Sequence, residues 1–231
     1  MERSLQDPGG RLVGGMDEVG RGALAGPVTA GLVVLRPGTE RGVPGLRDSK
    51  LLSPARREAL VPRLLAWCAA AGVGHASPQE IDGLGLTAAL RLAGRRAIAA
   101  AEGQGAPPDV VLLDGGHDWL TLPADALPAG PSGAAPAAGW SGTVVTRVRA
   151  DLTCASVAAA SVLAKVERDR IMGELADAWP QYGWDSNKGY GAVRHRRALE
   201  EHGTTPHHRL SWRLTQPPSA AGPSTIGDGT T

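Results

Sequence analysis

Two adjacent carboxylates, Asp17 and Glu18, stand where an apolar run gives way to glycines, and this stretch constrains the fold more than any other. Acidic residues are unfavourable in strands, and like charges in contact repel each other. A hard divalent cation, which takes oxygen ligands, would cancel that repulsion. Gly20, Arg21 and Gly22 follow and offer unhindered backbone N–H groups and a permanent positive charge, both suited to phosphate or ribose oxygens. Metal and phosphate recognition this close together indicates phosphodiester chemistry.

The chain of 231 residues suits a single domain, which we expect to span residues 1–214. Residues 123–142 are rich in Pro, Ala and Gly and are predicted to be a surface insertion, and residues 215–231 to be a disordered tail. A net charge of +1 excludes a general polycation, so any nucleic-acid surface is a local patch. The sequence has no apolar leader, membrane-spanning run or CxxC pair, so we expect a cytoplasmic protein that has no contact with a membrane.

Lysine is scarce in this chain: 24 residues are Lys or Arg, and only three of them, Lys50, Lys165 and Lys188, are lysines. Where arginine serves for charge alone, a remaining lysine is a candidate for a position that needs a compact ammonium group. Chance is the alternative explanation, since the number is small.

Hydrophobic periodicity predicts alternating strands and helices after an initial hairpin. Ser77 and Glu80 have the spacing of a capping box, and residues 183–191 are predicted to be a loop. The pattern indicates an α/β layered fold with a mixed sheet. Strands are predicted at residues 11–18, 26–35, 73–76, 109–114 and 143–148, and helices at residues 54–71, 86–102, 153–179 and 193–202.

Two further carboxylates follow predicted strands: Asp114 ends one, and Asp151 lies between a strand and a helix. Ligands of α/β sheets gather beyond strand carboxyl ends, so these acids and Asp17 and Glu18 could converge on two Mg²⁺ or Mn²⁺ ions. Neighbouring strand residues point to opposite faces, so the first strand must end or twist at the acidic pair. The alternative is that Asp114 is a turn residue and Asp151 a helix N-cap.

Hydroxyl and basic residues form a second candidate group. Ser161 and Lys165 lie one helical turn apart, and Ser49 and Lys50 precede a helix. The charged residues around Lys165, Arg168 included, could equally form a solvated helix face. Tyr190, between two glycines, could stack on a sugar or a base, or could instead be a buried anchor of its loop.

Residues 188–213 carry a local excess of four positive charges and four of the six histidines. Metal ligation by His207 and His208 is conceivable, but the acids favour a hard cation with oxygen ligands. These histidines are therefore more consistent with hydrogen bonding or phosphate contact.

Together these motifs resemble the ribonuclease HII family, with a match from about residue 12 to residue 212. Several motifs in the right order are far more specific than one short motif. The motifs lie at residues 16–22, 25–28, 48–53, 76–82, 113–115, 160–166 and 187–191. The resemblance implies an RNase H-like fold with a helical C-terminal extension. It also implies an endonuclease that cuts the RNA strand of RNA–DNA hybrids and cuts 5′ to single ribonucleotides in duplex DNA, leaving 5′-phosphate and 3′-hydroxyl ends.

The resemblance also implies roles for individual residues. The four acids would bind metal, the loop of Gly20, Arg21 and Gly22 would read the 2′-hydroxyl, and Tyr190 would pack on the junction sugar. The blocks that line the phosphate path would contribute Ser49, Lys50, Ser161, Lys165 and Lys188. A monomer is expected, and the tail is a candidate segment for binding a replication or repair protein.

The sequence departs from the family pattern at four positions and leaves other functions to weigh. A ribonuclease HIII needs an extra N-terminal domain, but the first strand is predicted to begin by residue 11. A non-catalytic hybrid-binding protein should lack an acid, and none is missing; a metal-dependent phosphatase would not need the loop motifs. The departures are Gly85 and Gly116 in place of Asn, Ala192 in place of Thr, and Trp212 in place of Phe.

Overall fold

The computed structural model describes residues 1–7, 9–39, 42–122 and 140–214, and within them a mixed five-stranded sheet forms the centre of the fold. The strands are Val13–Val19 (β1), Val28–Leu35 (β2), Ala70–Ala76 (β3), Val110–Asp114 (β4) and Thr143–Arg147 (β5). Their order in the sheet is β3-β2-β1-β4-β5. The pairs β1–β2 and β2–β3 are antiparallel, and the pairs β1–β4 and β4–β5 are parallel. The predicted hairpin and mixed sheet are confirmed.

Helices cover the sheet, and two of them have the predicted bounds. The helices are Glu2–Gln6 (α1), Pro54–Trp67 (α2), Pro78–Leu84 (α3), Leu86–Glu102 (α4), Ala155–Ala178 (α5), Trp184–Asn187 (α6) and Val193–His202 (α7). The helices α4 and α7 match the prediction residue for residue. The capping box at the start of α3 is also confirmed, since Ser77 accepts from the Glu80 N–H and Glu80 accepts from the Ser77 N–H.

Three predictions of element bounds were wrong, each because tertiary contacts outweigh local preference. The prediction extended α2 to residue 71, but Ala70 and Ala71 belong to β3, where they pair with Val34 and Val33. The segment 183–191 is not all loop, because Trp184 starts the short helix α6 and is fully buried. The long helix α5 starts two residues late, after a 3-10 turn at Ala150–Leu152.

Strand β2 is buried on both faces, and alternate residues serve two cores. Ala30, Leu32 and Val34 pack against α4, whereas Val33 and Leu35 pack against α2 and α5. The predicted C-terminal extension is helical, and α6 and α7 pack on the end of α5 around the buried Trp184.

Helix α5 lies directly on the sheet because glycines face it. A Cβ atom on Gly15 would lie 2.4 Å from the Ser156 backbone, and one on Gly31 would lie 2.3 Å from the Ala160 carbonyl oxygen. Backbone atoms cannot move aside as a flexible side chain can, so only glycine permits this approach. The approach brings the polar side chains of α5 to the level of Asp17.

The single-domain interpretation of residues 1–214 stays a prediction. The tail at 215–231 and residues 123–139 of the predicted insertion lie outside the described residues. At the end of that insertion, Trp140 is buried in the core on the α4 side of the sheet. Within the described ranges, no helix is both long and apolar enough to span a bilayer.

The close approach of α5 predicts that Gly31→Ala destabilises the protein by about 1–3 kcal/mol or more, because the new methyl group overlaps a backbone carbonyl. Chemical denaturation measures the free energy of unfolding. Gly173→Ala is the control: it lies within α5 with open space around it, and it should stabilise by about 0.5–1 kcal/mol. Equal stability of Gly31→Ala and the wild type would contradict the packing described.

Candidate active site

The acidic residues meet at one edge of the sheet, where β1 and β4 run parallel. Met16 pairs with Leu113, so Asp17 and Asp114 follow at the same level of adjacent strands. Asp17 is 5% exposed, and Asp114 is half-buried. The first strand was predicted to end or twist at the acidic pair, and β1 ends at Val19, one residue after Glu18, which still pairs with Ala30. The carboxylates of Asp17, Glu18 and Asp114 nevertheless lie close enough to influence one another's ionisation.

Ser161 of α5 contacts Asp17, and Ser49 contacts Ser161 in turn. The Ser161 hydroxyl hydrogen-bonds to the Asp17 carboxylate, and its oxygen lies 2.7 Å from the Ser49 hydroxyl. Both serines are buried, and Asp17 also accepts from the Glu18 N–H at 2.8 Å. The serine pair therefore links the loop before α2 and the helix α5 to the acidic end of β1.

Asp151 is linked to the other acids by Lys50, which forms an ion pair with Asp151 and is attracted by the charge of Asp17. The Lys50 Nζ lies 3.2 Å from Asp151 Oδ2 and 3.5 Å from Asp48 Oδ1. Asp114 Oδ1 accepts from the Ala150 N–H at 2.7 Å, which fixes the 3-10 turn that carries Asp151. Asp114 thus supports the placement of the fourth acid as well as lying beside Asp17.

The alternative interpretation of Asp151 as the N-cap of α5 was wrong. The N-cap position belongs to Cys154, which makes no side-chain capping bond. The Glu2 carboxylate instead accepts from the Ser156 N–H at 2.7 Å and from its hydroxyl at 2.6 Å. Glu2 of α1, which sequence reasoning did not predict, thus accepts hydrogen bonds at the N-terminus of α5. Asp151 does not cap α5 and lies instead near Asp17, Glu18 and Asp114, a group that we call the acidic edge.

Burial and mutual repulsion work against ionisation of these acids. Burial, together with the charges of Glu18 and Asp114, raises the pKa of Asp17 to about 7, although Ser161 and Lys50 oppose this. Burial also raises the pKa of Glu18, and the Arg21 guanidinium at 3.6 Å only partly compensates. For Lys50, burial is outweighed by the attraction of Asp17, Asp48 and Asp151, which raises its pKa. The edge therefore carries excess negative charge that one ammonium group does not neutralise.

The donor chemistry of this edge suits a hard divalent cation, because every candidate ligand is a carboxylate oxygen. In the described ranges, however, no three carboxylate, imidazole or thiol side chains are already arranged as a metal cage. Lys50 occupies the position of a cation between Asp48 and Asp151. Closing a ligand shell would require these carboxylates to approach each other.

The glycine loop and Tyr190 are in contact although 170 residues separate Gly20 from Tyr190. The Gly20 N–H donates to the Tyr190 hydroxyl at 3.2 Å, so this donor already has a partner. Arg21 and Gly22 are exposed, and Tyr190 is 37% exposed. The alternative that Tyr190 is a buried anchor of its own loop was therefore wrong, and its hydroxyl group instead accepts a hydrogen bond from the glycine loop.

The remaining lysines lie away from the acids. Lys165 and Lys188 line a groove of about 600 Å³ beside α2 and α5. Lys165 pairs with Asp169 at 2.7 Å, and Asp169 also pairs with Arg57 at 3.3 Å. Lys188 has a φ of +51° and forms no ion pair with any residue of the described ranges. The scarce lysines therefore serve two places, with Lys50 at the acids and the others in the groove.

Sequence reasoning missed two buried arginines. Arg168 was interpreted as part of a possible solvated face, and Arg209 was counted in the basic stretch, but both are 0% exposed. Their guanidinium groups donate to backbone carbonyls of the loop at residues 20–27. The available signal was that Arg168 stands one turn from Ala164 and one turn from Met172, on the apolar face of α5.

The histidines form a structural chain rather than a metal site. His195 and His208 are buried with their Nε2 atoms 3.1 Å apart, and His195 Nδ1 lies 2.9 Å from the Tyr190 carbonyl oxygen. His208 Nδ1 accepts from the Thr205 N–H at 2.9 Å. Burial, with the neighbouring His195, lowers the pKa of His208 to about 4. Both rings are consequently neutral at physiological pH, and they hold the backbone of Tyr190.

Comparison with known proteins identifies the family of this chain. The model of the family described as ribonuclease HII matches residues 14–215. The chain belongs to the ribonuclease HII family. Ribonuclease HII of Streptomyces griseus is 50% identical over 216 residues, which cover 92% of this chain and 82% of the relative. Members of the ribonuclease HII family are endoribonucleases, so this chain is a hydrolase of that class.

Solved structures of the same kind share the fold. The ribonuclease H2 of Pyrococcus horikoshii superposes with a TM-score of 0.62 at 26% identity, covering 88% of this chain and 94% of that one. The ribonuclease HII of Archaeoglobus fulgidus, solved in complex with PCNA, gives a TM-score of 0.63 at 25% identity, covering 89% and 97%. The predicted RNase H-like fold is therefore confirmed.

The departures from the ribonuclease HII pattern leave the acids in place. Gly116 is exposed, and Gly85 joins α3 to α4 with a φ of +77°, a conformation that glycine adopts freely. Trp212 packs on the guanidinium of Arg209 at 4.8 Å. None of these three residues hydrogen-bonds to one of the four acids.

The raised pKa of Asp17 predicts that Asp17→Asn stabilises the metal-free protein. The unfolded carboxyl titrates near 3.8 and the folded one near 7, so ionisation costs nothing below pH 4 and costs most above pH 7. The gain in unfolding free energy should therefore grow from pH 5 to pH 7, reach a few kcal/mol, and then level off. Denaturation in the presence of a chelator measures it, with the exposed Asp177→Asn on α5 as control. A variant that is less stable than the wild type at pH 8 would contradict this electrostatic picture.

Proposed function

We propose that this endoribonuclease cuts the RNA strand of RNA–DNA hybrids and cuts 5′ to single ribonucleotides in duplex DNA, leaving 5′-phosphate and 3′-hydroxyl ends. The observation that carries the proposal is the Gly20–Tyr190 contact two residues beyond the acidic pair. It places the residues that we propose recognise the ribose next to the residues that we propose hydrolyse the phosphodiester bond. Family membership supports the reaction class.

We propose that Asp17, Glu18, Asp114 and Asp151 hold Mg²⁺ or Mn²⁺. Such ions generate a hydroxide nucleophile from water and stabilise the leaving oxygen of an in-line displacement. The residues of this chain prepare the site for them. Ser161 and Ser49 keep the Asp17 carboxylate oriented while it is ionised, and the raised pKa of Asp17 reflects the cost of that ionisation without a second cation. Lys50 compensates part of the charge at Asp151.

Substrate recognition is divided between two surfaces in this proposal. The exposed Arg21 and Gly22 present backbone N–H groups to the 2′-hydroxyl, and Tyr190 packs on the sugar at the junction. Lys165 and Lys188 receive backbone phosphates along the groove, which supplies affinity that depends on salt but not on sequence.

The partner and compartment remain proposals. The Archaeoglobus fulgidus relative was solved with PCNA, and a replication or repair protein is the partner we propose for residues 215–231 of this chain. A monomer acting in the cytoplasm, on RNA–DNA hybrid and ribonucleotide-containing duplex, completes the proposal.

The proposed reaction is tested with pure protein, Mg²⁺ or Mn²⁺, and a DNA duplex that contains one ribonucleotide. The wild type should nick 5′ to the ribonucleotide. Asp17→Asn should reduce turnover at least about a thousandfold, because several kcal/mol of metal-dependent stabilisation is lost, while duplex binding stays nearly unchanged. The control Asp177→Asn should retain full activity. Absence of nicking by the wild type would refute the proposal, and parallel loss of binding and turnover in Asp17→Asn would refute the assigned role.

Gly22 offers a test of close substrate approach. A Cβ atom at Gly22 meets nothing within 4 Å and its φ is not left-handed, so Gly22→Ala should fold with unchanged stability. If the substrate backbone approaches this residue, the methyl group displaces it, and cleavage should fall about 100-fold. Gly173→Ala, also in open space, is the matched control and should cleave normally. Normal cleavage by Gly22→Ala would exclude a contact at this glycine.

A further inference from the structure

Two buried arginines hold the glycine loop, defined here as residues 20–27, from the side opposite to solvent. Arg168 lies on α5, the helix that also carries Ser161, and Arg209 follows α7. Each is 0% exposed. In the described ranges neither forms an ion pair with a carboxylate. Both are therefore buried charges whose partners are backbone carbonyl groups.

Arg168 joins the glycine loop to the segment that carries Tyr190. Its Nε donates to the Pro27 carbonyl at 2.9 Å and its Nη2 to the Ala25 carbonyl at 3.1 Å. Its Nη1 donates in the other direction, to the Lys188 carbonyl at 2.9 Å. The guanidinium carbon also lies 5.5 Å from the centre of the Tyr190 ring. One side chain thus links two segments that are distant in sequence, and it adds to the backbone hydrogen bonds by which the Leu24 and Ala25 N–H groups donate to the Gly189 carbonyl.

Arg209 holds both ends of the glycine loop. Its Nη2 donates to the Gly20 carbonyl at 2.6 Å, and its Nη1 donates to the Arg21 carbonyl at 3.0 Å. Nε and Nη2 also donate to the Gly26 carbonyl at 3.2 and 3.1 Å. Trp212 stacks on the guanidinium at 4.8 Å. The planar fork matches several carbonyl groups at once, which a lysine ammonium cannot do.

Gly20 is the residue on which these contacts converge. Its carbonyl accepts from Arg209, and its N–H donates to the Tyr190 hydroxyl. A Cβ atom there would lie 2.1 Å from Arg168 Nε, and its φ of +84° requires glycine. Tyr190 and Arg209 therefore hold the two peptide groups on either side of Gly20, the Ala23 N–H donates to the same carbonyl as Arg209, and Arg168 fills the space beside the Gly20 Cα atom.

A purely structural role explains this arrangement poorly. Burying a charge without a counterion is costly, and well-packed apolar residues would often serve stability as well or better. Burial, together with the charge of Arg168, lowers the pKa of Arg209 to about 9, which reflects that cost. Retaining two such charges beneath one loop is consistent with a requirement for its exact backbone position.

We propose that Arg168 and Arg209 are positioning residues. They hold the Gly20–Arg21 backbone next to Tyr190 in the geometry that recognises the ribose of a ribonucleotide. They act through the loop and do not touch the substrate. The inference rests on the proposed function, since it specifies how the same site recognises ribose. Loss of either residue should lower kcat at a single ribonucleotide while leaving KM nearly unchanged, because phosphate contacts carry most of the binding.

Arg168→Lys and Arg209→Lys test this inference on the duplex with one ribonucleotide. Each should lower kcat about 100-fold, the effect of a displacement near 1 Å, with KM changed less than about threefold. Arg91→Lys is the matched control: Arg91 is also buried and donates to a carbonyl, that of Thr121 at 3.3 Å, away from the loop. It should lose stability without losing kcat. If a lysine variant fails to fold, Trp212→Ala, which removes the ring from Arg209, should lower kcat in the same direction.

A double-mutant cycle with Tyr190→Phe separates positioning from general destabilisation. Tyr190→Phe removes the acceptor of the Gly20 N–H. If Arg168 acts through that contact, the double variant should lose little more kcat than the more impaired single variant. Additive losses, or an equal fall of kcat in Arg91→Lys, would overturn the inference. Failure of the wild type to nick the duplex would instead refute the proposed function, so the two failures are distinguishable.

Discussion

The direct packing of α5 on glycines of the central sheet is the constraint on which the site depends. Gly15 and Gly31 leave no room for a side chain, so the backbone of α5 rests on β1 and β2. That distance brings Ser161 to the Asp17 carboxylate, and two turns further along α5 it brings Arg168 beneath the glycine loop. A bulkier strand residue would move the helix outward and separate both contacts together. The glycines therefore serve the chemistry of the site through the position of a helix.

At the acidic edge, burial and mutual repulsion oppose the ionisation of the carboxyl groups. Burial of Asp17 favours its neutral form, yet the hydroxyl of Ser161 and the ammonium of Lys50 favour the ionised form. Such opposing effects leave the edge poised to accept a cation, because a divalent ion would satisfy charge that Lys50 alone does not. The unfavourable ionisation of Asp17 lowers stability at this end of the sheet, which is common where charged groups are gathered for function.

Much of the fold could be predicted from the sequence, because strand ends, caps and short motifs are local features; the roles of the four acids stay a prediction. Asp17 and Asp114 do lie at the same level of adjacent strands, and Asp151 is joined to them through Lys50, whereas convergence of the four acids on metal ions stays a prediction. Arg168 could not be placed, since charge near Lys165 usually marks a solvated face and only the tertiary structure shows which side of α5 is covered. The contact between Gly20 and Tyr190 depends on the packing of the C-terminal helices and has no local signal.

Neutral histidines extend the control of Tyr190 beyond the arginines. The Tyr190 carbonyl accepts from His195 Nδ1, so the remaining Nε2 of a neutral His195 is an acceptor for Trp184 Nε1 at 3.1 Å and faces His208. Protonation of His195 would remove that acceptor, and burial opposes it by lowering the pKa of His195. The C-terminal extension thus fixes the backbone of Tyr190 with uncharged hydrogen bonds, whereas the glycine loop is fixed by charged ones. The two segments meet at the Gly20 N–H and also where the Leu24 and Ala25 N–H groups donate to the Gly189 carbonyl, so their relative position depends on both sets of hydrogen bonds.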